Sequence, residues 1–101
     1  MSWVSVGHVR DLTPGEGRTF VVDGHQIAVF LLPDGSVRAT TAVCPHRGGP
    51  LADGQIDSDV VVCPLHQYAF AFESGLCTTG EVEPVPIYAA RLQDEAIHIR
   101  V

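Results

Sequence analysis

The sequence predicts an all-β fold, and three observations carry that reading. Turn signals recur at short intervals, among them Thr13-Pro14-Gly15, Asp23-Gly24, Pro33-Asp34-Gly35, Gly48-Gly49-Pro50, Asp53-Gly54, Ser74-Gly75 and Gln93-Asp94-Glu95. The stretches between them are short and rich in Val, Ile, Phe and Ala, residues that fit a pleated, half-buried surface. No window long enough for a stable helix shows an apolar face at helical spacing without a Gly or Pro inside it.

The elements follow in chain order. Residues 11–17 have room for one helical turn. Residues 19–23 and 25–32 flank Asp23-Gly24, a good type I′ hairpin signal. Residues 37–43, 60–63, 68–72, 85–90 and 96–101 read as further strands. Val60-Val61-Val62 is a continuous β-branched run, expected of a strand buried on both faces. Residues 44–54 are dense in Pro and Gly for a segment lying between two good strands. A loop that costly needs a reason.

Length and composition narrow the function. A chain of 101 residues fits one domain, 1–101, because two cores of half that size would not fold unaided. Hydrophobic residues at 46% with charged residues at 18% describe a packed globule. A formal net charge of −6 argues against nucleic acid as a partner, since a phosphate-backbone binder needs a basic face. The longest apolar run, Ile27 to Leu32, is far below the roughly 20 residues of a membrane-spanning helix. The opening Met-Ser-Trp-Val-Ser has neither the basic nor the apolar region of a secretory signal, so a cytoplasmic location is expected. An odd cysteine count (Cys44, Cys63 and Cys77) reads as ligands plus one spare thiol rather than a disulfide framework.

Spacing the ligand-type residues explains the costly loop. Cys44-Pro45-His46 forms one pair and Cys63-Pro64-Leu65-His66 the other, each opening a loop directly after an expected strand. Two loops leaving neighbouring strands can bring two thiolates and two imidazoles to one point. That is the mixed ligand set of a [2Fe–2S] centre with two Cys on one iron and two His on the other. Structural zinc also accepts two Cys and two His, but its finger spacing pairs like with like and places the His pair on a helix. A Cys–His nucleophilic pair does not need the duplication. Four unrelated packing residues would be poor core material in Gly/Pro-rich loops.

The boxes Cys44-Pro-His46-Arg-Gly-Gly-Pro-Leu51 and Cys63-Pro-Leu-His66 resemble the two cluster-binding boxes of Rieske proteins, and Phe70-Ala-Phe72-Glu-Ser-Gly75 resembles the strand and turn after the second. The resemblance implies three small antiparallel sheets with a cluster-binding subdomain inserted at about residues 43–70. It also implies one [2Fe–2S] cluster per chain, held by Cys44, His46, Cys63 and His66, with both imidazole edges near solvent. With neutral imidazoles the oxidised cluster is about uncharged, against about −2 with four thiolates, so it accepts an electron more readily. High-potential members carry a disulfide between the loops and Ser and Tyr hydroxyls near the sulfurs. The matching positions here are Gly49 and Leu65, then Tyr68 and Phe70, which implies a potential near the lower end of about −150 mV.

The remaining residues have plainer readings. Arg47 is a loop arginine that can steer an acidic partner. Gly48, Gly49 and Pro50 shape the loop so that backbone approaches sulfur. Leu51 and Leu65 are expected to exclude water from the cluster, and Cys77 to be a spare thiol. His8, His25 and His98 read as ordinary histidines. Val85-Pro86 is either a loop covering the cluster or a strand-edge proline. Asp53, Asp57 and Asp59 form a solvated acidic face with the alternative of a docking patch.

No facial triad, dinucleotide fingerprint or substrate pocket is visible, so the expected role is electron transfer to a redox partner protein. The run from Cys44 to Gly54 and the segment from Gly75 to Arg91 look like the small subunit of an assimilatory NAD(P)H nitrite reductase, whose partner is the large subunit. The alternative is the ferredoxin component of a ring-hydroxylating dioxygenase system, with a flavin reductase and a terminal oxygenase as partners. A regulatory or structural metal-binding module is the third reading.

Overall fold

The computed structural model describes residues 2–44, 48–65 and 67–101. Among the described residues ten strands form three antiparallel sheets, as expected: β1 (Trp3–His8), β2 (Gly17–Val22), β3 (His25–Leu31), β4 (Val37–Thr41), β5 (Gln55–Ile56), β6 (Val60–Val62), β7 (Ala69–Ala71), β8 (Ile87–Tyr88), β9 (Ala90–Gln93) and β10 (Ala96–Arg100). Their orders are β1-β10-β9, β2-β3-β4-β8 and β5-β6-β7. Among the described residues no helix is long and apolar enough to cross a membrane.

The β2–β3 hairpin forms on Asp23 and Gly24, at φ 50° and 79°, both left-handed as a type I′ turn requires. Asp94 and Glu95 make the same pattern between β9 and β10, at φ 52° and 68°, without a glycine.

β3 organises the interior. Ile27, Val29 and Leu31 pack into one core with Val37, Ala39, Ile97 and Ile99, beneath the β1-β10-β9 sheet. Ala28, Phe30 and Leu32 point the other way into a second core with Leu51, Val61, Phe70 and both Cys44 and Cys63. Alternating side chains therefore feed two cores, which is why the longest apolar run in the chain sits here. At roughly 1.5–3 kcal/mol for each large buried side chain, β3 is the main tie between the sheets and the cysteine-bearing end. The strand expected to be buried on both faces, Val60–Val62, is not: only Val61 is fully buried and its neighbours are half-exposed. β6 belongs to a small sheet with one face covered.

Other expectations need correction. The helical turn lies at Val9–Asp11, not in 11–17, because His8 Nδ1 accepts from Arg10 N at 3.1 Å and Asp11 accepts from His8 N at 3.1 Å, capping it early. β1 was not anticipated. Its alternating Val4 and Val6 pack against the first core, but a bulge between Ser5 and Gly7 breaks the periodicity. The single strand expected at 85–90 divides into β8 and the start of β9, which belong to different sheets.

Asp57 sets up β6. Its Oδ1 accepts from the backbone N–H of Asp59 at 2.7 Å and Val60 at 2.8 Å. The Asp59 N–H, then that of Val60, hold the carboxyl below its ordinary 3.8. A lowered folded-state pKa means this contribution is present above the unfolded value and is lost as pH falls through the folded one. Asp57→Ala is therefore expected to lower the thermal midpoint at neutral pH, with the gap to the parent closing below about pH 4. Asp57→Asn, which keeps an accepting oxygen, is expected to lose less. Thermal unfolding across that pH range checks both.

Candidate metal centre

The two cysteine loops are built alike. In the first, Cys44 N donates to Gly49 O at 2.8 Å and Gly48 N to Cys44 O at 2.9 Å. In the second, Cys63 N donates to Tyr68 O at 2.8 Å and Gln67 N to Cys63 O at 2.9 Å. Each cysteine thus receives a hydrogen bond from the residue four positions on and gives one to the residue five positions on. In both loops the fourth residue is left-handed: Gly48 at φ 71° and Gln67 at φ 58°. The glycine was legible in the sequence. Gln67 carried no signal, because glutamine has no preference for that region and tertiary pairing imposes it.

Gly49 joins the two loops. A Cβ on Gly49 would stand 2.7 Å from Cys63 Sγ and 3.1 Å from Leu65 Cγ, so the bare Cα lets one loop lie directly against the thiol of the other. Both thiols are fully buried in the same core, beside Leu51, Phe70 and Val85, and none of the three cysteines forms a disulfide. A cavity of about 240 Å³ lies next to Cys63, lined also by Asp53, Gln55, Val62, Pro64 and Gln67. His46 and Arg47, together with His66, lie outside the described residues. Of the four expected ligands, Cys44 and Cys63 are described, and both lie in the same core.

Two buried sulfurs from matched loops, with a bare glycine of one loop against the thiol of the other, fit a sulfur-ligated metal group. The chain matches the Rieske [2Fe–2S] domain over residues 2–89.

The chain belongs to the Rieske [2Fe–2S] family.

Relatives of similar length include the ferredoxin subunit of anthranilate 1,2-dioxygenase from Burkholderia cepacia, 29% identical over 98% of this chain and 92% of that protein. Among solved structures, a putative NADH-dependent nitrite reductase small subunit from Mycobacterium tuberculosis superposes with TM-score 0.89 and 32% identity, covering 99% and 96% of the two chains. The ferredoxin of carbazole 1,9a-dioxygenase from Nocardioides aromaticivorans IC177 gives 0.85 and 30%, covering 98% and 97%. Other relatives are much longer. The chain spans 18% of the cholesterol 7-desaturase of Xenopus laevis and 22% of a 3-ketosteroid-9-alpha-monooxygenase oxygenase component of Rhodococcus rhodochrous. The cofactor of this Rieske domain is a [2Fe–2S] cluster.

The surroundings refine several expectations. Leu51 is fully buried in the core that holds both cysteines. Leu65 is 48% exposed and Val43 43%, so each cysteine loop carries an exposed apolar side chain. Gly49 and Leu65 touch, yet neither can form the inter-loop disulfide of high-potential members. Phe70 is buried at a position where a hydroxyl is absent, and the Tyr68 ring lies against Gly80. Val85 packs into the cluster-side core while Pro86 extends the edge strand, its carbonyl accepting from Thr41 N at 2.9 Å. Cys77 lies half-buried with its Sγ 3.9 Å from Thr79 Oγ1. Among the described residues no group of three or more His, Cys, Asp or Glu side chains is placed to hold a metal ion.

Gly49→Ala tests the inter-loop contact. The added methyl must push Cys63 or Leu65 aside, an overpacking that costs about 1–3 kcal/mol. The expected result is a protein that still binds its cluster, with shifted EPR g-values and a lower temperature of cluster loss than the parent. Identical spectra and stability would show that the contact is not required.

Proposed function

We propose that Cys44 and Cys63 hold one iron of the cluster and His46 and His66 the other, and that the protein is a low-potential electron carrier serving as the small subunit of an assimilatory NAD(P)H nitrite reductase. The observation that carries the subunit reading is the full-length likeness to the Mycobacterium tuberculosis nitrite reductase small subunit, at 32% identity. The bound cluster supplies reversible one-electron chemistry. The chain does the rest. Gly49 brings the loops together, Leu51 keeps water out, and Val43 and Leu65 present an apolar rim for a partner. With Phe70 in place of a hydroxyl and no inter-loop disulfide, fewer hydrogen bonds and less constraint act on the sulfurs, which favours a low potential. Six of the twelve carboxylates and no arginine fall in residues 48–83, so docking near this end is expected to be salt-sensitive.

A second reading, ferredoxin to a ring-hydroxylating dioxygenase, is favoured by the full-length likeness to the Burkholderia cepacia anthranilate 1,2-dioxygenase ferredoxin subunit. Affinity capture of the tagged protein from its own host, grown on nitrate as sole nitrogen source and handled without oxygen, separates the two. Recovery of a large enzyme containing sirohaem and flavin supports the nitrite reductase reading. Recovery of an oxygenase subunit or a small flavin reductase replaces it with the second.

A further inference from the structure

The β1-β10-β9 sheet packs on the core that lacks the cysteines, and its outer face carries cationic side chains. In β10, Ile97 and Ile99 are buried, so the alternating His98 and Arg100 stand on the outer face of the β1-β10-β9 sheet. Trp3 pairs with Arg100 across the β1–β10 ladder, and Arg91 pairs with His98 across β10–β9. The Arg91 guanidinium lies 4.1 Å from the centroid of the Trp3 ring, which is itself 37% exposed. Among the described residues no Asp or Glu lies in β1, β9 or β10. Asp94 and Glu95 lie in the turn at its far end, where Glu95 Oε2 is 3.5 Å from His8 Nε2. Among the described residues neither Arg91 nor Arg100 has an ion-pair partner. Beside Arg100, between the two larger sheets, lies a groove of about 430 Å³ lined by His25, Ile87, Tyr88 and Val101. Its volume falls in the range of sites that take a small ligand or a side chain.

On a protein of net charge −6, two unpaired arginines, a histidine and the lone tryptophan gathered on one sheet select for negative charge. The Arg91–Trp3 stack holds one guanidinium in place and limits the entropy lost on pairing. We propose that this face docks an acidic, extended polypeptide segment of a partner protein. Its carboxylates pair with Arg91 and Arg100, and an apolar side chain enters the groove beside Tyr88. The cysteine-bearing end, built on the second core, stays open for electron exchange while this face is occupied.

The test uses the cluster-loaded protein and a fluorescein-labelled synthetic peptide of Glu and Leu, followed by anisotropy and by emission of the sole tryptophan, Trp3. The expected result is salt-sensitive binding that perturbs Trp3. Arg91→Glu and Arg100→Glu, each made singly, should weaken it about tenfold or more. Arg10→Glu, the same charge change at an exposed site elsewhere, should change it less than about twofold. An unchanged cluster spectrum shows that the variants are folded. Equal weakening by Arg10→Glu would reduce the effect to net charge and overturn the proposal. So would absence of binding at low salt, or sedimentation showing that this face is instead covered by a second copy of the chain.

Discussion

The Cys63→Ser variant is expected to purify colourless, with iron and sulfide absent and no Rieske EPR signal. Serine oxygen is a poor substitute for thiolate toward the cluster. The effect reaches the fold, because Cys63 is fully buried against Gly49, with its loop closed by the Tyr68 and Gln67 hydrogen bonds. Without the metal group to link the two loops, their left-handed residues Gly48 and Gln67 no longer have a reason to stay fixed. Cys44→Ser should behave the same way. Cys77→Ser is the control, expected to retain a full cluster. His66→Cys is expected to keep a cluster with an altered spectrum and a lower potential, because a neutral ligand has become a thiolate. A normal Rieske signal in Cys63→Ser would remove Cys63 from the ligand set.

A large stability loss outside the ligands is expected at Gly54→Ala, at about 3 kcal/mol. Gly54 has φ −74° and ψ 157°, a conformation open to alanine, so the cost is one of space alone. A Cβ there would stand 2.1 Å from the carbonyl oxygen of Val62 and 3.1 Å from that of Leu51, both backbone atoms that no side-chain rotation can clear. The residue sits where the chain leaves the first cysteine loop and passes the strand leading into the second. Separating them should therefore also loosen the cluster. Gly35→Ala is the comparison. It lies at φ 90° with nothing within 4 Å, so only the left-handed strain of about 1–2 kcal/mol applies. Chemical denaturation of both variants against the parent, with cluster absorbance as second probe, gives the ordering. A smaller loss at Gly54 than at Gly35 would contradict the close approach.

Both predictions depend on residues of different legibility. Cys44, His46, Cys63 and His66 stood out by spacing alone, since ligand chemistry needs specific atom types and the chain must supply them in order. The turns at Asp23-Gly24 and Pro33-Asp34-Gly35 were legible for a similar reason: each is a local contest between few conformers, and in the second Asp34 Oδ1 accepts from Ser36 N at 2.9 Å. β5, with two residues, and β1, with its bulge, were not, because a short or interrupted strand exists only by virtue of the strand it pairs with.

Composition, turn chemistry and ligand spacing, all properties of neighbours along the chain, determined the all-β class, the Rieske resemblance and the cofactor. Tertiary structure alone decided that β3 serves two cores, that Gly49 touches the Cys63 sulfur, and that Gly54 has no space for a methyl. It also placed Trp3, Arg91 and Arg100, which span nearly the whole chain, on one face. Those facts rest on contacts between residues far apart in sequence. Such contacts are set by which apolar faces are buried together, and no local pattern records that.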